Sequence, residues 1–386
     1  MKTRMPSGAT ERVRVAVPRH PYDVLIANRL LQHAGSHLRR VLRDQRRLFV
    51  VTAPSVRKRW GKELSVSLRV SGFEATFVAM PDGERYKKLA TVEALAEKLA
   101  RLGAERGAVI VAFGGGVVGD TAGMLASIYM RGVDFVQVPT TLLAQVDAAI
   151  GGKTGVNLRM GKNLLGVFHQ PRIVLIDPSV LSTLTSRQFR AGLYECLKCG
   201  VIGNRRLFER LEKIRPEELH ANARELQCVI AESVGLKAKI VAADERESGL
   251  RRVLNFGHTI GHALEAESHY GRFLHGEAVA WGMVAAARIA NLLGSLSRGD
   301  CERIANAVLG LGPLPRITAN VNAVLRLLQA DKKTRNAVVH FVLPTRIGRV
   351  EVVQDVPAKV ILRSLDEVKR FAGKLGAAFN EGGSRD

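Results

Sequence analysis

The feature that most constrains the fold of this chain is a regular alternation of short apolar runs with longer amphipathic segments before residue 180. Six runs rich in apolar and β-branched residues predict strands, and they lie at Val13–Val17, Leu48–Thr52, Ala75–Ala79, Ala108–Phe113, Phe135–Val138 and Ile173–Asp177. Between them, the spacing of apolar residues predicts helices over Leu89–Leu102 and Val117–Tyr129. Strands that alternate with helices in this way predict a parallel sheet with helices on its faces.

The pattern changes once, near residue 180, where strand-like runs give way to helical ones. The later predicted helices lie at Arg187–Ile202, Leu219–Ala243, Thr259–Ala266, Glu277–Leu293 and Cys301–Leu309. A strand pair at Ala337–Pro344 and Ile347–Val353 predicts one hairpin within this helical part. The sequence therefore predicts an α/β domain over 1–180 and a mostly α-helical domain over 181–386, which suits a chain of 386 residues.

The charge of the chain is strongly positive, with 58 Lys and Arg against 36 Asp and Glu, a formal +22 at pH 7. Such basicity is typical of proteins that bind nucleic acids, anionic membranes or anionic small molecules. The most basic stretch, 39–69, matches no nucleic-acid-binding motif and has Phe49 and Trp60 as its aromatic residues, which favours a solvated face. We therefore expect no nucleic-acid partner.

Targeting and redox features indicate a soluble protein of a reducing compartment, the cytoplasm. The first dozen residues lack the apolar core of a secretory signal. The longest apolar stretch, Ala278–Ala287, is shorter than the roughly 20 residues of a membrane-spanning helix. Four cysteines in so long a chain do not form a disulfide framework. We expect no membrane partner.

A glycine run directly follows the predicted strand Ala108–Phe113 and opens a predicted helix, in the sequence Gly114-Gly-Gly-Val-Val-Gly-Asp120. Glycines at such a turn let the backbone approach a pyrophosphate, and the N–H groups of the helix N-terminus attract its negative charge. Because the spacing departs from G-x-G-x-x-G, a tight turn without a ligand is the alternative. Glu84 and Lys87 follow another strand end, where contacts to ribose and phosphate are common.

Three histidines lie close together in the second half of the chain. His258 and His262 are four residues apart and so share one helix face, and His275 begins the next predicted helix. Such imidazoles, with a carboxylate from elsewhere, could supply the three protein ligands of a catalytic zinc site with one open position. A structural or surface role is the alternative, and the absence of H-E-x-x-H disfavours a metalloprotease.

A string of polar residues on predicted glycine-hinged loops suits the binding of an anion. Its members are Pro139-Thr-Thr141, Asp147, Gly151-Gly-Lys-Thr154, Asn157 and Gly161-Lys-Asn163. It lacks the first glycine of a P-loop, which disfavours ATP binding through that motif. Glu195 and Lys198 lie one turn apart in an apolar helix. They predict either a plain ion pair or a ligand beside a catalytic amine.

In chain order, these motifs closely resemble those of the 3-dehydroquinate synthase family, which belongs to the sugar-phosphate cyclases. The resemblance extends from about Val13 to Val353, and the matching segments are Gly114–Asp120, Tyr129–Gly132, Val138–Asp147, Gly151–Thr154, Gly161–Asn163, Asn255–His258 and Leu274–Glu277. It implies a Rossmann-like NAD-binding domain over 1–180, a mostly helical metal- and substrate-binding domain over 181–386, an active site in the cleft between them and a homodimer.

The resemblance also implies roles for individual residues. The ligands of a divalent metal, Zn²⁺ or Co²⁺, would be Glu195, His258 and His275. NAD would be held by the glycine turn and by neighbouring polar residues: Gly114, Gly115, Gly116 and Asp120, assisted by Glu84, Lys87, Thr140, Thr141, Lys153 and Lys162.

The substrate implied by the resemblance is an anionic sugar acid phosphate. Its phosphate would be held by Lys153, Asn163, Asn255, His262, one of Lys332 and Lys333, and Arg131 of the dimer partner. Arg251 would face the substrate carboxylate. The substrate hydroxyls would be contacted by Asp147, Lys198, Lys237 and Glu247.

The implied reaction converts 3-deoxy-D-arabino-heptulosonate 7-phosphate into 3-dehydroquinate and phosphate, a step of the shikimate pathway. NAD⁺ oxidises the C5 hydroxyl, phosphate is eliminated, NADH reduces the ketone, and ring opening precedes an intramolecular aldol reaction. Three alternatives remain: another sugar-phosphate cyclase, a metal-dependent dehydrogenase of the glycerol-dehydrogenase kind, and a basic nucleic-acid-binding protein. The combination of Lys237, Arg251, Asn255 and His262 favours a substrate that bears a carboxylate.

Overall fold

The computed structural model describes residues 10–42, 46–334 and 339–381, and within these the side chains of 329–334 and 373–381 are not described. The chain forms two compact units. The first comprises Met1–Phe189 with Leu219–Glu247, and the second comprises Arg190–Glu218 with Ser248–Asp386. The boundary at residue 180 stays a prediction about domains, since the first unit is assembled from two separate stretches of the chain.

The first unit is built on a seven-stranded sheet. Its strands are β1 (Glu11–Val15), β2 (Tyr22–Ile26), β3 (Leu48–Thr52), β4 (Ala75–Ala79), β5 (Val109–Gly114), β6 (Asp134–Pro139) and β9 (Ile173–Ile176). Their order in the sheet is β1-β2-β9-β6-β5-β3-β4. β1 pairs with β2 in the antiparallel sense, and the other pairs are parallel. The predicted Rossmann-like parallel sheet is confirmed, because every residue of β3 and β5 is buried, as expected of strands covered on both faces.

Two further strand pairs complete the β-structure of the described ranges. The hairpin of β7 (Lys153–Leu158) and β8 (Gly161–Phe168) lies between β6 and β9 in the sequence. The hairpin of β10 (His340–Arg346) and β11 (Arg349–Gln354) belongs to the second unit and confirms the predicted late hairpin. The polar string from Lys153 to Asn163 was expected on loops, and this expectation was wrong, because both its lysines lie in paired strands.

Helices make up most of the remaining structure. Before residue 200 they are α1 (Ala34–Val41), α2 (Pro54–Val70), α3 (Leu89–Arg101), α4 (Gly116–Ile128) and α5 (Ser186–Gly203). After it they are α6 (Arg205–Leu211), α7 (Pro216–Ala221), α8 (Ala223–Ala243), α9 (His258–Glu267), α10 (His275–Leu292), α11 (Arg298–Gly310), α12 (Val321–Thr334) and α13 (Ala358–Glu381). The mostly helical character predicted for the later part of the chain is confirmed. None of the described helices is long and apolar enough to span a membrane.

The helix predicted over Leu219–Ala243 is interrupted at Asn222. The side chain of Asn222 accepts a hydrogen bond from the backbone N–H of Glu225, at 3.1 Å, and so caps α8. Asparagine is among the preferred residues at this position because its side-chain oxygen satisfies an N–H group that the first helical turn leaves without a partner. The single predicted helix is therefore two helices, α7 and α8.

Candidate active site

In the second unit, three helices approach one another closely because glycines lie at the points of contact. A Cβ atom on Gly276 of α10 would lie 1.9 Å from the carbonyl oxygen of Ala191 in α5. A Cβ atom on Gly282 of α10 would lie 1.8 Å from the carbonyl oxygen of Gly257, which precedes α9. Distances this short exclude any side chain. The glycines beside the predicted histidines thus allow α5, α9 and α10 to meet.

This packing brings a buried carboxylate to two imidazoles. Oε1 of Glu195, whose side chain is 1% exposed, lies 3.6 Å from Nε2 of His275 and 4.0 Å from Nε2 of His258. The rings of His258 and His275 are 5.2 Å apart between centroids. Since α5, α9 and α10 each contribute one of the three groups, their convergence depends on tertiary packing and not on sequence spacing.

His262 belongs to the same cluster. Its ring centroid lies 5.3 Å from that of His258 and 5.8 Å from that of His275. The three histidines each offer a ring nitrogen, and these atoms lie within 4.8 Å of one another. Two donor sets thus exist here, three imidazoles or two imidazoles with Glu195. The set with the carboxylate is the one that the resemblance implies.

The chemistry of this cluster fits a divalent cation. Burial lowers the pKa of His258 well below its usual value, and repulsion from Lys198, His275 and His262 lowers it further. A neutral imidazole is the form that binds a metal. Among the described residues, the buried Oε1 atom of Glu195 has no hydrogen-bond partner of regular geometry. A carboxylate oxygen in this position is suited to binding a metal ion, which would satisfy it.

Lys198 supplies a positive charge beside Glu195. Its Nζ atom lies 2.5 Å from Oε2 of Glu195, and its side chain is 2% exposed. Both sequence hypotheses for this pair therefore agree with the geometry, because Glu195 is ion-paired and also faces the imidazoles.

Arg251 and Asn255 lie on the 3-10 helix Leu250–Asn255, which precedes α9 in the same unit. Arg251 is 1% exposed.

In the first unit, the glycine turn is shaped by close packing. A Cβ atom on Gly114 would lie 2.6 Å from Val118, and one on Gly115 would lie 3.0 Å from Thr141. The backbone N–H of Thr140 donates to the carbonyl oxygen of Gly114 at 2.9 Å, which joins the ends of β5 and β6. No side chain in the described ranges caps α4, so the N–H groups of its first turn are suited to binding an anion at this edge of the sheet.

Lys87 connects the predicted cofactor residues beside this turn. Its buried ammonium donates to the carboxylate of Asp120 and to the side-chain oxygen of Asn163. Burial raises the pKa of Asp120, and the charge of Lys87 opposes that effect. Glu84 joins the network through Asn157, whose amide donates to Glu84 at 2.7 Å. Asn163, predicted as a phosphate ligand, is therefore tied to the predicted NAD residues in this structure.

Two ion pairs link the remaining predicted residues of the first unit. The ammonium of Lys237 lies 2.5 Å from the Asp147 carboxylate and donates to the Asp147 carbonyl oxygen at 2.7 Å. Lys153, at the start of β7, pairs with Glu247. Glu247 adopts a positive φ of 59°, a conformation rare outside glycine and often found at functional sites.

The remaining predicted residues are exposed, half-buried or outside the described side chains. Arg131 is exposed, with a φ of 68°, and Lys162 is half-buried in β8. The side chains of Lys332 and Lys333 lie outside the described residues, so the predicted phosphate contact from one of them stays a prediction. Asn157, a member of the predicted polar string, contacts Glu84. Glu265, whose carboxylate lies 3.4 Å from Nδ1 of His275, was not predicted as a site residue.

Comparisons with known proteins agree on one family. The model of the N-terminal part of 3-dehydroquinate synthase matches residues 77–191, and that of the C-terminal part matches residues 192–334. A 3-dehydroquinate synthase from Koribacter versatilis is 51% identical over 358 residues, which cover 93% of this chain and 98% of that protein.

Two solved structures have closely similar folds. One is 2-epi-5-epi-valiolone synthase from Streptomyces hygroscopicus subsp. jinggangensis with NAD⁺ and Zn²⁺ bound, at 31% identity and a TM-score of 0.82, covering 90% of this chain and 97% of that chain. The other is 2-deoxy-scyllo-inosose synthase complexed with carbaglucose-6-phosphate, NAD⁺ and Co²⁺, at 25% identity and a TM-score of 0.80, covering 94% of this chain and 99% of that chain.

Proposed function

The chain belongs to the 3-dehydroquinate synthase family, and on that premise we propose that it converts 3-deoxy-D-arabino-heptulosonate 7-phosphate into 3-dehydroquinate and inorganic phosphate. The observation that carries this proposal is the Glu195 carboxylate facing Nε2 of both His258 and His275 in the second unit. This donor set is suited to a divalent metal at which the oxygens of a polyhydroxylated substrate can be polarised.

The choice of substrate within the cyclases is supported by similarity and by charge. The chain is 51% identical to a 3-dehydroquinate synthase but 31% identical to the valiolone synthase and 25% identical to the inosose synthase. Arg251, which is 1% exposed, is the residue that we assign to the substrate carboxylate. A planar guanidinium binds a carboxylate through two parallel hydrogen bonds, and a sugar phosphate without a carboxylate could not form this bidentate contact.

The residues divide between cofactor and substrate. Glu195, His258 and His275 would hold Zn²⁺ or Co²⁺, and NAD would lie on the glycine turn that begins α4, with Asp120, Lys87 and Glu84 around it. When bound, NAD accepts and later returns a hydride while the metal lowers the pKa of the substrate hydroxyls. Solved relatives that carry NAD⁺ with Zn²⁺ or Co²⁺ support this set of cofactors.

The chain's own cations and carboxylates would bind and orient the substrate. We assign Lys153, Asn163, Asn255 and His262 to its phosphate, with one of Lys332 and Lys333. Lys198 and the Lys237–Asp147 pair would orient hydroxyl groups, as would Glu247. These ion pairs hold their side chains in fixed positions, which lowers the entropic cost of orienting the substrate.

We further propose that the protein acts as a homodimer through the β7–β8 hairpin. Five large apolar residues of this hairpin are 39–89% exposed: Leu158, Met160, Leu164, Val167 and Phe168. Ile128 and Met130, next to Arg131, are 47% and 44% exposed. Exposed apolar patches of this kind mark interaction surfaces. A second copy on this surface would cover it. Arg131 of the first copy would then lie close to the substrate phosphate bound by the second copy.

The four free cysteines support a cytoplasmic location, where thiols stay reduced.

The function itself is tested by release of phosphate from 3-deoxy-D-arabino-heptulosonate 7-phosphate, with and without NAD. We expect NAD-dependent release without net accumulation of NADH, and none from sedoheptulose 7-phosphate. Release from sedoheptulose 7-phosphate alone would assign the chain to another cyclase. Net NADH formation with glycerol would instead support the dehydrogenase alternative.

A further inference from the structure

We propose that Glu265 is a positioning residue for the metal centre, which holds His275 so that its Nε2 atom faces the metal; the inference rests on the metal site of the proposed function. The Glu265 carboxylate is 1% exposed, and its Oε2 lies 3.4 Å from Nδ1 of His275. Nε2 of the same ring lies 3.6 Å from Oε1 of Glu195. The imidazole thus has a buried carboxylate at each of its two nitrogens.

The second imidazole is held in the same way by a different acceptor. Nδ1 of His258 lies 3.1 Å from the carbonyl oxygen of Phe256, and its Nε2 faces Glu195 at 4.0 Å. A carbonyl oxygen can only accept, so this contact places the proton of His258 on Nδ1 and leaves the lone pair of Nε2 for a metal. Glu265 is an acceptor at the corresponding nitrogen of His275 and selects the same tautomer there.

The position of Glu265 follows from the geometry of α9. It lies seven residues after His258, two turns along the same helix, on the side that α10 covers. Its neighbours Ala263 and Leu264 are buried apolar residues. A carboxylate in such surroundings is costly unless hydrogen bonds compensate for its lost hydration. Retaining it beside His275 is therefore better explained by the orientation of that ring than by packing alone.

The backbone at His275 is held in place as well. The rotation of the His275 ring is therefore the motion that Glu265 restrains. The N–H of Leu274 donates to the carboxylate of Glu277 at 2.8 Å, and the N–H of Glu277 donates to the carbonyl oxygen of Leu274 at 2.9 Å, at the start of α10. His275 is 30% exposed, more than Glu195 or His258, so its ring is the least confined by packing of these three groups. A hydrogen bond at Nδ1 compensates for this lack of confinement.

The test compares three variants for their affinity for Zn²⁺, measured by competition with a chromophoric chelator. Glu265→Leu removes the acceptor, and we expect the affinity to fall about 10- to 100-fold, the usual effect of losing a hydrogen bond behind a metal ligand. Glu265→Gln keeps an acceptor oxygen of the same size, and we expect a smaller loss. Glu267→Gln, two residues along the same helix, is the control and should bind Zn²⁺ as wild type does, because Glu267 accepts from the backbone N–H of Asn320 instead.

The absorption spectrum of bound Co²⁺ provides a readout that a merely structural role would not change. We expect a changed spectrum in Glu265→Leu, partial restoration in Glu265→Gln, and unchanged thermal unfolding of both variants in chelator. Zn²⁺ affinity and Co²⁺ spectra of both variants that equal those of wild type would overturn the role of Glu265. If wild type itself bound no Zn²⁺, and His275→Ala behaved identically, the metal site of the proposed function would fail too.

Discussion

The ammonium of Lys198 lies 2.5 Å from the carboxylate of Glu195 on the same helix, and both side chains are at most 2% exposed. Two opposite charges that are buried together lose much of their hydration. Their mutual attraction offsets this loss only while both charges are present. The Glu195 carboxylate also faces His258 and His275. A cation bound there would therefore share with Lys198 the task of compensating the negative charge.

Replacing Lys198 by Met should accordingly destabilise the metal-free protein more than the metal-loaded one. Without the ammonium, Glu195 is a buried charge without compensation, and we expect the free energy of unfolding to fall by about 3–5 kcal/mol in chelator. Saturating Zn²⁺ should restore part of this loss because the ion takes over the compensation. Urea unfolding in chelator and in Zn²⁺ measures both values. Equal losses under the two conditions would show that Glu195 does not contact the metal.

Replacing Gly276 by Ala should weaken metal binding although the residue carries no chemistry. The added Cβ would lie 1.9 Å from the carbonyl oxygen of Ala191, so α10 must move away from α5. This movement carries His275 away from Glu195. We expect a lower affinity for Zn²⁺ and a loss of stability of about 1–3 kcal/mol, typical of overpacking.

Gly299 provides the matched control for this substitution. A Cβ atom there would meet nothing within 4 Å, and the residue lies in the first turn of α11. Gly299→Ala should keep the Zn²⁺ affinity of wild type and leave stability unchanged or raise it by up to about 1 kcal/mol, since alanine is the better helix former. Equal effects of the two substitutions on metal affinity would argue against close helix packing as the basis of the site.

Strands that are rich in apolar and β-branched residues could be predicted from the sequence, whereas a strand pair whose close backbone pairing depends on glycines could not. The strands Leu48–Thr52 and Ala75–Ala79 were predicted with their observed bounds because both are short runs rich in apolar and β-branched residues; the first is fully buried and the second mostly half-buried. The β7–β8 hairpin was missed because Gly155 and Gly166 lie opposite each other in its register. A Cβ on Gly166 would lie 2.3 Å from the carbonyl oxygen of Thr154, so close pairing there requires glycine and shows no alternating pattern.

The candidate site shows the same division. The histidines were found together because two of them share a helix face and the third begins the next helix. Glu265 was missed because its partner, His275, is selected by tertiary packing, which residue spacing does not encode. The one available signal was a lone glutamate in the apolar run Ala263-Leu-Glu-Ala266, two turns after His258.

Replacing Lys87 by Met should weaken NAD binding. The Lys87 ammonium joins Asp120 to Asn163, and its charge opposes the effect of burial, which raises the pKa of Asp120. Without it, Asp120 is more readily protonated and the network loses its common donor. We expect the dissociation constant of NAD to rise about tenfold or more, since hydrogen bonds to charged groups contribute about 1.5–3 kcal/mol.

Lys88 is exposed and adjacent to Lys87, and therefore serves as the control. Lys88→Met removes the same charge from the chain but leaves the Asp120 network intact, so NAD should bind as it does to wild type. Isothermal titration of the three proteins with NAD makes the comparison. Similar dissociation constants for Lys87→Met and wild type would remove Lys87 and Asp120 from the proposed cofactor site.

Mixing two inactive variants should restore activity if Arg131 acts across the dimer. Arg131→Ala lacks the phosphate contact that we assign to the partner, and His258→Ala lacks a metal ligand. In a mixed dimer, the Arg131→Ala subunit keeps its metal site and receives Arg131 from its partner. Random mixing should therefore restore roughly a quarter of the wild-type activity, because half of the dimers are mixed and each has one complete site. No recovery, with mixed dimers verified by mass spectrometry, would place Arg131 in its own subunit's site or outside both.

The stability of the protein should decrease in mild acid through His169. This imidazole stacks on Phe135 and lies 3.1 Å from the carbonyl oxygen of Val133, and burial lowers its pKa. In the unfolded chain the ring takes up a proton as the pH falls through about 6.5, whereas the folded protein resists protonation. The unfolded state then binds more protons, so the free energy of unfolding falls with pH.

His169→Gln keeps an N–H group that can donate to Val133 but cannot titrate. The difference in unfolding free energy between wild type and this variant, measured in urea, should therefore be constant above about pH 7.5. As the pH falls toward about 5.5, the free energy of unfolding of wild type should decrease relative to that of the variant. Other titrating groups, including His37, whose pKa is also lowered by burial, are present in both proteins and cancel in the difference. A difference that stays constant over this range would show that His169 is protonated as readily in the folded protein as in the unfolded chain.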